Sequence, residues 1–315
     1  MSYYMNNVVN ALRVSLIGSS GIAVLLSGLL YFKQNEIIYP RNVPANARSL
    51  VPQPEEFHIP SHCADEVYID TPDGEKLHAF HIRPANPARA RNVTILMFHG
   101  NAGNIGYRLP IARVLHDELA CSVLMVQYRG YGLSSGTPNE KGLNIDAQAG
   151  LDWIRNSQEL RDTKVVVYGQ SLGGAVGTGL VVRAQKEARE NEKWKGQIAG
   201  MILENTFLSI KKMIPSAFPP ARYLAPLCHQ IWPTEEMLPK ITDIPILFLS
   251  GLKDEIVPPS HMRTLYEICR SEPKVWHELP EGTHNDTVAE PGYFQAVDDF
   301  LRTYVCPTKG RRWPA

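Results

Sequence analysis

The chain has 315 residues, 44% hydrophobic and 20% charged, and its 32 Lys plus Arg cancel its 32 Asp plus Glu. That balance excludes disorder as the state of the whole and removes the broad basic field with which nucleic-acid binders attract phosphates. Its 23 Gly and 24 Pro follow no period, and its five cysteines form no CxxC pair, which excludes collagen-like repeats, a disulfide scaffold and a structural zinc site.

Val14 to Phe32 is an uncharged run between Arg13 and Lys33. A helix of ~1.5 Å rise per residue and this length matches a ~30 Å hydrocarbon core. Gly18, Gly21 and Gly28 suit a membrane helix, and no A-x-A cleavage site follows, so the run is expected to be an uncleaved anchor within residues 1–35. Lys33, Arg41 and Arg48 outnumber Arg13, which favours a cytosolic catalytic domain. Residues 36–62 are rich in proline and read as a linker lying over a domain surface.

From residue 63 to 305 strands alternate with helices. Glu66–Asp70 and Leu77–Ile82 flank an Asp-Gly turn and predict an antiparallel hairpin. Val93–Phe98, Ser122–Gln127, Lys164–Tyr168, Met201–Leu203 and Ile246–Leu249 are apolar without alternation, as strands buried on both faces are. Helical patterns lie between them at Arg108–Leu119, Ile145–Arg155, Leu172–Gln185, His261–Cys269 and Tyr293–Tyr304. The expected fold is α/β, with a mostly parallel sheet of about eight strands and helices on both faces. From about 205 to 240, six prolines among aromatic residues leave no room for a regular crossover helix and read as a short lid. Residues 306–315 read as a tail.

G-x-S-x-G occurs twice. Gly132-Leu133-Ser134-Ser135-Gly136 runs into Thr137-Pro138 and reads as a surface loop. Gly169-Gln170-Ser171-Leu172-Gly173 instead joins an apolar strand to a glycine-lined helix, the setting of a nucleophile elbow. A serine hydroxyl needs a base that is itself oriented by a third group. In such a sheet the acid and the base follow the serine, each after a strand, which selects Asp254 and His284. Glu255 and Glu204 compete with Asp254. Among the histidines, His277 falls inside a strand with a packed role and His261 begins a helix in an exposed position. His99 precedes Gly100 and reads as a brace for its loop, whose Asn101 amide, with that of Leu172, would form an oxyanion hole. No metal or organic cofactor is expected.

The blocks HGNAGNIGYR (99–108), QYRGYGLSSG (127–136), GQSLGG (169–174), GLKDEIVP (251–258) and GTHNDT (282–287) resemble the α/β-hydrolase superfamily, in particular the bud-emergence protein 46 / abhydrolase-domain-containing protein 13 family. The resemblance implies a membrane-anchored serine hydrolase at endomembranes such as the endoplasmic reticulum, with Ser171, Asp254 and His284 matching the family's triad. The expected reaction is hydrolysis of an acyl ester or thioester, such as a lipid or an S-acylated protein. A serine peptidase of the same fold, or a catalytically silent scaffold in membrane or polarity signalling, is the alternative.

Overall fold

The computed structural model describes residues 27–28, 31–217 and 225–306. Eight strands form one sheet: β1 (Ala64–Asp70), β2 (Lys76–Ile82), β3 (Val93–Phe98), β4 (Ser122–Val126), β5 (Lys164–Gln170), β6 (Ile198–Glu204), β7 (Ile246–Gly251) and β8 (Lys274–Leu279). Their order is β1-β2-β4-β3-β5-β6-β7-β8, with β2 antiparallel to both neighbours and every later pairing parallel. The expected α/β sheet and each expected strand are present, most of them longer by one or two residues, β6 by four, and β4 shorter by one.

The helices are α1 (Leu109–Asp117), α2 (Glu140–Asn156), α3 (Leu172–Glu190), α4 (Ile210–Ala217), α5 (Thr234–Met237), α6 (Pro259–Ile268) and α7 (Tyr293–Phe300). Alternate residues of the buried strands serve two cores. Leu96, Phe98, Val165 and Val167 face α2, α3 and α6 through Leu143, Leu151, Ala175, Val176 and Leu265. Ile95, Met97, Val166 and Tyr168 face α1 and α7 through Ile111, Leu115, Val297 and Phe300. Strands with both faces covered need no polar side, which is why their sequences run apolar without alternation. Truncating one of these leucines to alanine costs about 2–5 kcal/mol.

The chain leaves β3 over one face through α1 and returns from β4 to β5 over the other through α2. Strand order therefore reverses between β3 and β5, and the crevice beyond their carboxyl ends is where an open α/β sheet places its site. Asn139 opens α2 by accepting the Gly142 amide at 2.8 Å. The helix expected over Tyr293–Tyr304 ends at Phe300 and finishes in a wider π-type turn over Leu301–Val305.

Most of the expected anchor, Val14 to Phe32, and the tail from residue 307 lie outside the described residues, as do residues 218–224 of the expected lid. Among the described residues no helix is long and apolar enough to cross a membrane. The stem that follows the expected anchor is helical over 31–38 and packs on the domain. Gln34 Oε1 accepts the amides of His229 and Gln230, and Trp232 Nε1 donates to the Tyr39 hydroxyl, which in turn donates to Gln230 Oε1. Beyond it, Ala47 and Ile59 are fully buried against the domain. Among the described residues the lid region holds two short α-helices, the single turn α5 and α4, in which Pro215 leaves one N–H missing from the ladder and keeps its ring exposed.

Candidate active site

Ser171 stands at the turn from β5 into α3 with φ 53° and ψ −117°. A residue with a side chain adopts this conformation at a cost of about 1–3 kcal/mol, and here the strand and the helix on either side impose it. The turn closes only because its flanks are bare. A Cβ on Gly169 would stand 2.3 Å from the Gly173 carbonyl oxygen, and one on Gly173 would stand 2.0 Å from that of Phe98. The serine is buried, its own carbonyl accepting the Thr206 hydroxyl at 2.7 Å.

His284 arrives from the loop after β8 and places Nε2 3.0 Å from Ser171 Oγ. Its Nδ1 lies 2.7 Å from Asp254 Oδ2 in the loop after β7. The other Asp254 oxygen accepts the amides of Ile256 and Val257, so the carboxylate is fixed on one side and free for the imidazole on the other. All three side chains are less than a tenth exposed. His284, 113 positions after Ser171, thus meets it at hydrogen-bond distance, and Asp254, 83 positions after it, meets the far side of the imidazole.

The competing residues have other partners. Glu204, at the end of β6, is fully buried and accepts Tyr168 Oη, Tyr293 Oη at 2.5 Å and Gln170 Nε2 at 3.0 Å. Glu255 accepts the backbone amide of His284 and so positions the loop rather than the ring; its own backbone amide and then that of His284 hold its carboxyl below the ordinary range. His277 is only half-buried, because β8 is the edge strand of the sheet: Trp276 and Val275 reach the two cores, but no strand lies beyond it. His261 is buried, not exposed: the loop after β6 folds over it and the Leu208 amide donates to its Nδ1 at 3.4 Å. In the other G-x-S-x-G, expected as a surface loop, Ser134 is likewise buried, accepting the amide of His78 and donating to the carbonyl of Gln127. That hydroxyl ties two chain segments together and has no base beside it.

His99 has the bracing geometry expected of it. Its Nδ1 lies 2.7 Å from the Gly100 carbonyl and its Nε2 lies 2.8 Å from Gln127 Nε2. Burial drives its pKa down to about 3, so the ring is neutral and bonds on both sides. Neither the Asn101 nor the Leu172 amide has a hydrogen-bond acceptor among the described residues. The Asn101 side chain donates to the Ile38 carbonyl, and the Gly103 amide donates to that of Val43, so the stem supports this loop.

One organising residue escaped the sequence reading. Asn205, just past β6 with φ 45°, accepts the Gly251 amide at 2.8 Å and donates to Thr287 Oγ1 at 2.8 Å and the Thr283 carbonyl at 3.3 Å. It links the loop that carries Asp254 to the loop that carries His284. The only signal was an Asn at a strand end, which fits a turn as readily.

The family described as alpha/beta hydrolase fold matches residues 93–226. Protein bem46 of Schizosaccharomyces pombe is 41% identical over 295 residues, covering 93% of this chain and 94% of its own. "Uncharacterized membrane protein YNL320W" of Saccharomyces cerevisiae is 40% identical, with 90% and 94% covered. Among solved structures, the esterase Pf2001 of Pyrococcus furiosus superimposes with a TM-score of 0.63 at 17% identity, over 81% of this chain and 98% of that one. At that identity the likeness is one of fold.

Proposed function

Since the chain belongs to the bud-emergence protein 46 family of α/β-hydrolases, we propose that it is a membrane-anchored serine hydrolase that cleaves an acyl ester or thioester. The observation that carries this reading is the hydrogen-bonded line from Asp254 through His284 to a serine held at positive φ. Ser171 Oγ attacks the acyl carbonyl while His284 Nε2 takes its proton. Asp254 fixes the tautomer and stabilises the imidazolium. The amides of Asn101 and Leu172 hold the oxyanion, at the N-terminus of α3 whose dipole favours negative charge. His284 then gives its proton to the departing alcohol or thiol, and the acyl-enzyme forms. Water, deprotonated by His284, attacks it and releases the acid with Ser171 restored.

The anchoring is supported by the uncharged 19-residue run and by the relative named as a membrane protein. With the stem packed beside both the Asn101 loop and the lid segment, the site opens close to where an anchor would enter the bilayer. A lipid or an S-acylated protein at an endomembrane is the substrate this placement favours.

The test is labelling of the membrane fraction with a fluorescent fluorophosphonate, in wild type, Ser171→Ala and His284→Ala. Labelling of wild type alone is expected. A folded wild type that takes no label overturns the reading and favours a silent scaffold.

A further inference from the structure

Arg108 ends the 3₁₀ turn Ile105–Arg108 that follows the Asn101 loop and leads into α1. Its Nη2 lies 3.9 Å from the point where a Cβ on Gly100 would sit, and the Ser171 Cβ lies 3.7 Å from that same point. The guanidinium therefore stands across one glycine from the nucleophile. Its Nε is buried without a hydrogen-bond partner, and no carboxylate among the described residues pairs with it directly. Burial lowers its pKa, an effect opposed chiefly by the charge of Glu204 and then by Tyr168 and Tyr128. Glu204 already holds three donors of its own, from Tyr168, Tyr293 and Gln170.

A guanidinium carries five donors in a fixed fork that matches two oxygens of a carboxylate or phosphate. Buried charges in folded proteins are ordinarily paired, because an unpaired one loses its hydration without return. Here the fork is held half-buried one glycine from Ser171 and makes no hydrogen bond among the described residues. We propose that Arg108 is a specificity-determining residue that binds an anionic oxygen group, carboxylate or phosphate, carried by the substrate within a few bonds of the scissile carbonyl. This rests on the hydrolase reading and narrows it: the preferred acyl compound is acidic, and a plain neutral ester is a poor one.

The experiment measures kcat/KM of the full chain on two matched pairs. Nitrophenyl glutarate against nitrophenyl pentanoate places the anion on the acyl half. Octanoylglycerol phosphate against octanoylglycerol places it on the alcohol half. Wild type is expected to prefer the anionic member of one pair, and the pair that shows the preference identifies the half Arg108 reads. Arg108→Gln is expected to lower that preference about 10- to 100-fold, the loss that goes with one charged hydrogen-bonding partner, and Arg108→Lys to restore part of it. The proposal is overturned if labelled, active wild type shows no anionic preference in either pair. It is also overturned if Arg108→Gln lowers both members equally, since the arginine would then serve only as the counter-charge of Glu204. Fluorophosphonate labelling of Ser171 in the same preparations separates these results from failure of the hydrolase reading, in which no label enters.

Discussion

Asn205 Oδ1 accepts the Gly251 amide at 2.8 Å, while the Nδ2 of the same residue reaches Thr287 across the site. One short side chain thus sets the separation between the acid loop and the histidine loop. Asn205→Ala leaves the Gly251 amide buried and unpaired, at a cost of about 1–3 kcal/mol in urea unfolding. The loosened His284 loop should lower kcat on nitrophenyl butyrate by about 10- to 100-fold, with a smaller change in KM. A variant as active as wild type would show that the loops keep their spacing without it.

Ser171 is held at a backbone conformation that suits glycine. Ser171→Ala and Ser171→Gly both remove the hydroxyl and should both lose hydrolysis. The glycine variant also releases the strain, so it should be the more stable of the two by about 1 kcal/mol after its larger unfolded-state entropy is counted. Equal unfolding midpoints would mean that the turn stores no strain.

Two glycines beside the site, Gly173 two residues after Ser171 and Gly100 just before Asn101, should behave oppositely. Gly173→Ala drives a methyl to 2.0 Å from the Phe98 carbonyl oxygen, backbone against backbone, and should cost more than about 3 kcal/mol or prevent folding. A methyl on Gly100 meets its neighbours at 3.7–3.9 Å, ordinary contact, so Gly100→Ala should fold with a change of about 1 kcal/mol or less. Thermal unfolding of the pair decides it.

Acid should weaken the fold through His99. Its pKa is near 3 when folded and about 6.5 in the unfolded chain, so the unfolded state binds more protons between those values. At pH above about 6.5 both states are neutral and the residue adds no pH dependence. As pH falls toward 3, stability is lost at up to about 1.4 kcal/mol per unit. Burial lowers the pKa of His78, His81, His261 and His277 too, so the wild-type slope is steeper still. Denaturation of His99→Asn between pH 7 and 5 should show a slope shallower by about that single-residue amount, and an unchanged slope would contradict the buried neutral ring.

The sheet was legible in the sequence because strands covered on both faces leave runs such as Val93–Phe98 that no other element resembles. Asp254 and His284 were legible because each must stand just beyond such a strand. Asn205 was not, since its partners lie 46 and 82 positions away and side-chain bonds of that range leave no pattern along the chain. The burial of His261 was hidden for a related reason: a loop of no regular structure covers it, and helix position alone says nothing of what folds on top. The helix α4 forms despite its proline, with one N–H missing from its ladder and the ring of Pro215 exposed to solvent.

The stem does more than lead into the domain. The Ile38 and Val43 carbonyls receive the Asn101 side chain and the Gly103 amide, and Tyr39 is bonded to both Gln230 and Trp232. A protein shortened to begin at Pro44, as one might cut it to gain solubility, would keep every residue of the Ser171–His284–Asp254 line yet lose the struts under its oxyanion loop. Silence from such a shortened protein would report on the missing struts, and only the chain with its stem gives a fair assay.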